Sequence, residues 1–252
     1  MIKKAMILSA GFGKRLNPLT LNCPKPLLKI GNETLLSNTI NFLQNYKINE
    51  VVINVHYLAN QIIEYIKKNK FEAKITIINE KDKILDTGGG IRNALKYFDE
   101  SFVCINPDTI WNLNYIKEMI SLEENFLSKK KCHLLVVNKS KSFDKNIKGD
   151  FNLVEGKIDR KEKIELKYIY TGLQIINPEV FKNISDGVFS INKVWDKLIS
   201  TNQLFGLESK ISFKHVSTLD IYNKLNIKLY FFCSFCIKVF IIFNFKIFFK
   251  FY

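Results

Sequence analysis

The sequence predicts an α/β fold, with a mostly parallel central sheet and a small antiparallel part. Three observations carry this reading. Apolar runs alternate with helix-period segments from the first residues onward, the pattern of repeated β-α units. The first run passes straight into a loop rich in glycine and proline, as strands of such sheets do at their carboxyl ends. After the strand-like run "CHLLVVN" the chain becomes polar and lysine-rich and then takes on hairpin character.

The elements follow in order. "KAMILSA" reads as the first strand, and "NETLLSNTINFLQNY" as a helix with Asn32 as its N-cap and Leu35, Leu36, Ile40 and Leu43 on one face. "EVVINV" is a strand, "ANQIIEYIKKN" a helix and "AKITIIN" a strand, and "GGIRNALKYF" is a helix opened by the glycines of "DTGGG". The strand "SFVCIN" runs into "PDTIW", and a helix is expected around 113–127. In "DFNLVEGKIDRKEKIELKYIYTGLQIIN" turn signals fall near Gly156 and Asp159.

A chain of 252 residues with 47% apolar and 25% charged residues is an ordinary folding domain, here assigned to residues 1–226. The net charge of +14 is spread along the chain without a dense basic block or interleaved aromatics, so no nucleic-acid partner is expected. Five cysteines make no even framework, and Cys104 and Cys132 sit in strand-like runs where a reduced core thiol is usual. No secretory signal is read in "MIKKAMILSA", and the expected location is cytoplasmic. Residues 227–252 form an aromatic, hydrophobic tail of membrane-span length. Lys238 and Lys246 inside it would each cost about 2.5–3.5 kcal/mol at a helix centre. It is read as sequence past the natural end of the domain, with membrane contact only if it acts as an anchor or interfacial segment.

The loop "LSAGFGKRLNPLTLNCPKPL" carries the chemistry. Gly11 and Gly13 follow the first strand, where a glycine-rich turn lets backbone amides approach a phosphate. A dinucleotide-binding turn would place a third glycine where Leu16 stands and an acidic residue after "VVINVHY", and both are missing. The Gly-Lys-Ser/Thr of a Walker loop is also absent. What remains is a turn presenting Lys14, Arg15 and Lys25, the last fixed between Pro24 and Pro26, whose rings bias their neighbours to extended backbone. Such a platform suits a triphosphate with a highly charged leaving group.

This string resembles the signature of sugar-1-phosphate nucleotidyltransferases, standing here as Gly11, Gly13, Arg15, Leu16, Pro18, Thr20, Pro24, Lys25, Pro26 and Leu27. The resemblance continues through "LDTGGGI", "INPDTIW", "GDFNLV", "YTGLQIINPEVF" and "FSINKVWDKLI", covering about residues 3–225. The Thr-Gly-Gly-Gly and Gly-Asp-Phe strings look most like the N-acetylmuramate-1-phosphate uridylyltransferase branch, which serves cell-wall recycling, with mannose-1-phosphate guanylyltransferases close by. The resemblance implies a Rossmann-like, nucleotide-binding three-layer sandwich of the nucleotide-diphospho-sugar transferase type. Its reaction joins a nucleoside triphosphate and a sugar 1-phosphate in a monomer or weak oligomer.

The site residues it implies are these. Arg15, Lys25 and Asp108 are catalytic. The nucleotide is held by Gly11, Gly13, Lys14, Arg15, Lys25, Gly88 and Gly89, with Gly90 beside them, and the sugar substrate by Asn106 and Gly149. Asp108 binds Mg²⁺, with Mn²⁺ as the other candidate ion. The family closes its metal site with Asp in a Trp-x-Asp-Val-Gly-Thr string, whereas "FKHVSTLDIYNKL" has His215 at that Asp and Ser217 at the Gly. His215 is therefore the second metal candidate, although imidazole suits Mg²⁺ less well than carboxylate. A catalytically weakened, nucleotide-binding regulatory protein is the reading from a different class.

Overall fold

A computed structural model of the protein describes residues 1–126, 131–160 and 165–227. Apart from residue 227, the tail lies outside the described residues, as do Cys233 and Cys236. The first half runs β1 (Lys4–Ser9), β2 (Lys29–Ile30), β3 (Glu33–Thr34), α1 (Leu35–Asn45), β4 (Glu50–Val55), α2 (Ala59–Lys68), β5 (Lys74–Asn79), α3 (Asp86–Ala94) and β6 (Phe102–Ile105). The second runs α4 (Tyr115–Phe126), β7 (Cys132–Asn138), β8 (Asn152–Val154), β9 (Lys157–Asp159), β10 (Tyr168–Ile176), α5 (Asn192–Ser200) and β11 (Leu204–Ser209). The described residues also end in a helical stretch at 219–227.

Among the described residues nine strands form one sheet in the order β5-β4-β1-β6-β10-β7-β11-β9-β8. β5, β4, β1 and β6 are mutually parallel, as the alternating pattern predicts. The expected antiparallel part has two pieces: β10, which runs against both β6 and β7, and the β8–β9 hairpin, which pairs with β11. β11 is parallel to β7.

Strand alternation sorts the core into two layers. Ala5, Ile7, Val51, Ile53, Val55, Val103 and Ile105 face one side, against α1, α2 and α4. Met6, Val52, Phe102 and Cys104 face the other, against α3 and α5. This is the three-layer sandwich. A fully buried Ile, Leu or Phe stabilises it by about 1.5–3 kcal/mol, so exchanging the two faces by a one-residue slip would be severely unfavourable. Cys104 and Cys132 are free thiols in the second layer, and burial pushes the Cys104 thiol up to about 12. Among the described residues no helix is long and apolar enough to cross a membrane.

Two local expectations are corrected. The N-cap of α1 is Thr34, not Asn32, because Gly31 and Asn32 form the turn joining β2 to β3. Thr34 Oγ1 accepts from Ser37 N at 3.0 Å, satisfying one of the amides a helix start leaves open. The glycines of "DTGGG" do not precede α3 but lie inside its first turns, all buried. They are there for close approach. A Cβ on Gly88 would come within 2.5 Å of the Phe189 ring, and one on Gly89 within 2.2 Å of the Gly187 carbonyl oxygen. Between them the chains are stitched by Gly89 N donating to Phe189 O at 3.0 Å and Phe189 N donating to Leu85 O at 3.2 Å.

Gly89→Ala should therefore destabilise the fold by about 1–3 kcal/mol, since the obstacle is backbone rather than a movable side-chain tip. Thermal unfolding checks this, and an unchanged midpoint would show that the 187–191 segment does not pack against α3.

Candidate active site

The loop after β1 is built from three short 3-10 turns, Lys14–Leu16, Leu19–Leu21 and Lys25–Leu27. Gly13 takes a left-handed conformation (φ 65°), and a Cβ there would lie 3.0 Å from Thr20 and 3.1 Å from Lys25. Thr20 closes the turn by donating its hydroxyl to Gly13 O at 3.0 Å, and the Tyr57 hydroxyl holds it from outside by donating to Thr20 O at 2.8 Å. Gly11, by contrast, faces open space. Lys14 and Arg15 are exposed and have no acidic partner among the described residues, with the Lys14 ammonium 5.3 Å from the Phe12 ring centre.

Lys25 departs from the extended backbone expected beside its prolines. Pro24 is extended, but Lys25 opens a 3-10 turn in which Leu27 N bonds Pro24 O at 2.8 Å and Leu28 N bonds Lys25 O at 3.1 Å. Those two hydrogen bonds offset the steric bias that Pro26 places on the residue before it. The turn aims the Lys25 ammonium at Asp108, with Nζ 2.6 Å from Oδ2.

Asp108 lies just past the end of β6, after Pro107. A second element, residues 213–216, runs beside it: Thr109 and His215 form an antiparallel bridge, and Val216 N donates to Asp108 O at 2.8 Å. This brings His215 Nε2 to 3.0 Å from the same Oδ2 that Lys25 holds. Burial acts to raise the Asp108 pKa, but the Lys25 charge and then the His215 ring outweigh it and hold the carboxyl well below the usual range. Its Oδ1 takes no hydrogen bond from the described residues. Asn106, two residues earlier, is anchored by N–H donation to Gly172 O at 2.7 Å, and its carbonyl accepts from Trp111 Nε1 at 3.1 Å. Gly172 (φ 91°) sits where β10 breaks register between Tyr170 and Leu173, and a Cβ there would be 3.0 Å from Asn106.

These parts face one cavity of about 420 Å³ at the carboxyl ends of β1, β4 and β6. Gly11, Gly13, Lys14, Arg15, Lys25, Asn106 and Asp108 all line it. His215 reaches it only through Asp108, while Gly88 and Gly89 pack away from it as described and Gly149 lies against Leu166, whose carbonyl oxygen would be 2.0 Å from an added Cβ. The wall also includes Ser9, Asn54, Asp86 and Thr87, which motif reading passed over because each looks like an ordinary strand-end or helix-start residue.

The donor set suits a single hard cation. Asp108 offers one free carboxylate oxygen beside room for phosphate and water, the pattern in which Mg²⁺ is usually held. Among the described residues no cluster of three or more His, Cys, Asp and Glu forms a ready-made cage. His215 Nε2 lies 3.0 Å from Asp108 Oδ2 and its buried Nδ1 has no hydrogen-bond partner among the described residues, so in this arrangement the imidazole rests against the carboxylate.

Comparisons with known proteins bear on family and fold. The profile of the nucleotidyl transferase family matches residues 4–143. N-acetylmuramate alpha-1-phosphate uridylyltransferase from Caulobacter vibrioides is 28% identical over 222 residues, covering 85% of this chain and 91% of that protein. Mannose-1-phosphate guanyltransferase from Saccharomyces cerevisiae is 28% identical over 212 residues, which are 81% of this chain but 58% of that protein. Among solved structures, HddC from Yersinia pseudotuberculosis, complexed with GMP-PN, superimposes with a TM-score of 0.72 at 25% identity, covering 90% of this chain and 100% of that one. UDP-glucose pyrophosphorylase from Acinetobacter baumanii has a TM-score of 0.75 at 13% identity over 90% and 93% of the two chains, a likeness of fold alone. Because the matched stretch spans more than half of the chain and takes in the glycine turn, Lys25, Asn106 and Asp108, the chain belongs to the nucleotidyl transferase family of enzymes.

Proposed function

We propose that the protein couples a sugar 1-phosphate to a nucleoside triphosphate, giving a nucleotide sugar and pyrophosphate, and that the pair is N-acetylmuramate 1-phosphate and UTP. The observation that carries the transfer chemistry is the meeting of Lys25 and Asp108 in a cavity also lined by Lys14 and Arg15, two cations with no acidic partner among the described residues. The likeness to the Caulobacter uridylyltransferase over 91% of its length supports the choice of pair. Cytoplasmic cell-wall recycling belongs to the same proposal. A second reading, transfer from GTP, draws support from the likeness to HddC complexed with GMP-PN.

The chemistry follows from charge. An oxygen of the sugar phosphate attacks the α-phosphorus in line, and the bond from that phosphorus to the bridging oxygen of the leaving pyrophosphate breaks. Two anions must be brought together, so positioned cations lower the barrier most. Arg15, with its planar fork, and the amides from Gly11 to Lys14 hold the β- and γ-phosphates. Lys25, a compact charge on a short turn, exchanges Asp108 for the α-phosphate and the incoming phosphate. His215 keeps its contact with Asp108 during that exchange. Asp108 would hold a Mg²⁺ ion, or Mn²⁺ in its place, and such an ion would supply further positive charge to the phosphates.

Lys25→Ala is expected to lower kcat about 100- to 1000-fold, whereas Arg15→Ala should act mainly by raising KM for the triphosphate, about 10-fold. Asp108→Asn should remove metal-dependent turnover while the protein still folds. Pyrophosphate release across a panel of triphosphates and sugar phosphates measures all three. Absence of metal-dependent release with every pair would favour a regulatory nucleotide-binding protein instead. A thermal-shift comparison of UTP and GTP with Mg²⁺ separates the two base readings: the preferred nucleotide raises the melting temperature at a lower concentration.

A further inference from the structure

We infer that Asn54 and Glu80 form a buried strut that sets the spacing between the two lips of the nucleotide cavity, and so act as positioning residues for the triphosphate; the inference rests on the function proposed above. Asn54 is the penultimate residue of β4 and Glu80 the first after β5, and they are 3% and 8% exposed. Asn54 Oδ1 accepts from Ser9 N at 3.1 Å, Asn54 Nδ2 donates to Glu80 Oε1 at 2.7 Å, and Glu80 Oε2 accepts from Leu85 N at 2.9 Å. The chain of bonds thus runs from the end of β1, ahead of the glycine turn, to the residue before Asp86 and Thr87. Ser9, Asn54, Asp86 and Thr87 all line the cavity.

The direction of every bond is fixed by its ends. Two backbone N–H groups are donors, so Asn54 must turn its oxygen to Ser9 and its amide nitrogen to Glu80. Glu80 then receives donors at both oxygens, a demand that carboxylate meets and a carboxamide does not. Glu80 has no cationic partner among the described residues, and burying a carboxylate on hydrogen bonds alone is a costly way to hold two strands together. What the strut supplies is a directional hold on Leu85, immediately before Asp86, whose backbone is left-handed (φ 60°).

It also accounts for the third glycine of the "DTGGG" string. A Cβ on Gly90 would come within 2.8 Å of Asn54 Nδ2 and 3.0 Å of Glu80 Oε1, so this glycine leaves room for the strut, as Gly88 and Gly89 leave room for residues 187–189.

The test is a three-variant cycle. Glu80→Gln sets two amide groups against each other, and Asn54→Asp sets two carboxylates. The double variant restores every bond: the new carboxylate at position 54 accepts from Ser9 N and from the new carboxamide at position 80, whose oxygen accepts from Leu85 N. Binding of UTP and GTP with Mg²⁺ is read by calorimetry, well below each variant's melting temperature, alongside KM and kcat. The expected result is about 10-fold weaker triphosphate binding and a matching rise in KM for each single variant. The double variant is expected within about 3-fold of the original protein in both. If the original protein binds neither nucleotide, the functional reading itself falls. If it binds and the single variants bind equally well, or lose only melting temperature, the positioning role is overturned. Additive loss in the double variant overturns it as well, including where a single variant does not fold.

Discussion

Lys25 and Asp108 stand 83 positions apart in the sequence and meet at 2.6 Å, and the site depends on that meeting. β1 and β6 are parallel neighbours, so the sheet delivers the glycine turn and the Asp108 strand end to the same edge. Desolvating a carboxylate there is unfavourable unless charge and hydrogen bonds offset it. Lys25 and His215 both do so on Oδ2, which leaves Asp108 ionised with its other oxygen free of hydrogen bonds from the described residues.

The same economy governs the glycines. Gly13 is needed for a left-handed turn in a crowded corner, Gly172 for a bulge that admits Asn106, and Gly88 to Gly90 for three different close approaches around α3. Gly11 differs from these in opening onto free space within the cavity wall, where a phosphate can approach its backbone. The glycine-turn half of the site is therefore shaped by absent side chains. Side-chain hydrogen bonds shape the other half.

Much of this was legible in the sequence. The parallel strands at Lys4–Ser9, Glu50–Val55 and Lys74–Asn79 are continuous apolar runs separated by helix-period segments, and local pattern is enough to find them. The cations of the loop and the carboxylate after β6 were legible by motif and spacing, and the structure brings them to one cavity. The two-residue strands β2 and β3 were not, because their pairing is too short to leave an alternation, and so the N-cap was misplaced from Thr34 to Asn32. Nor could local pattern give the directions of β7 and β11, which are set by pairing with each other and with β10 and β9, strands distant in the chain. Asn54 and Glu80 looked like polar strand ends. Their role depends on which backbone amides lie opposite them, and that is a property of the assembled sheet.

Attack at the α-phosphorus of a triphosphate is the reaction to which these placements lead. It is followed most directly with triphosphate labelled at the α-phosphorus and, separately, at the γ-phosphorus, with a sugar 1-phosphate as acceptor. The expected outcome is α-label in the nucleotide sugar and γ-label in pyrophosphate. Recovery of γ-label in the sugar product, or its release only as inorganic phosphate, would rule that reaction out.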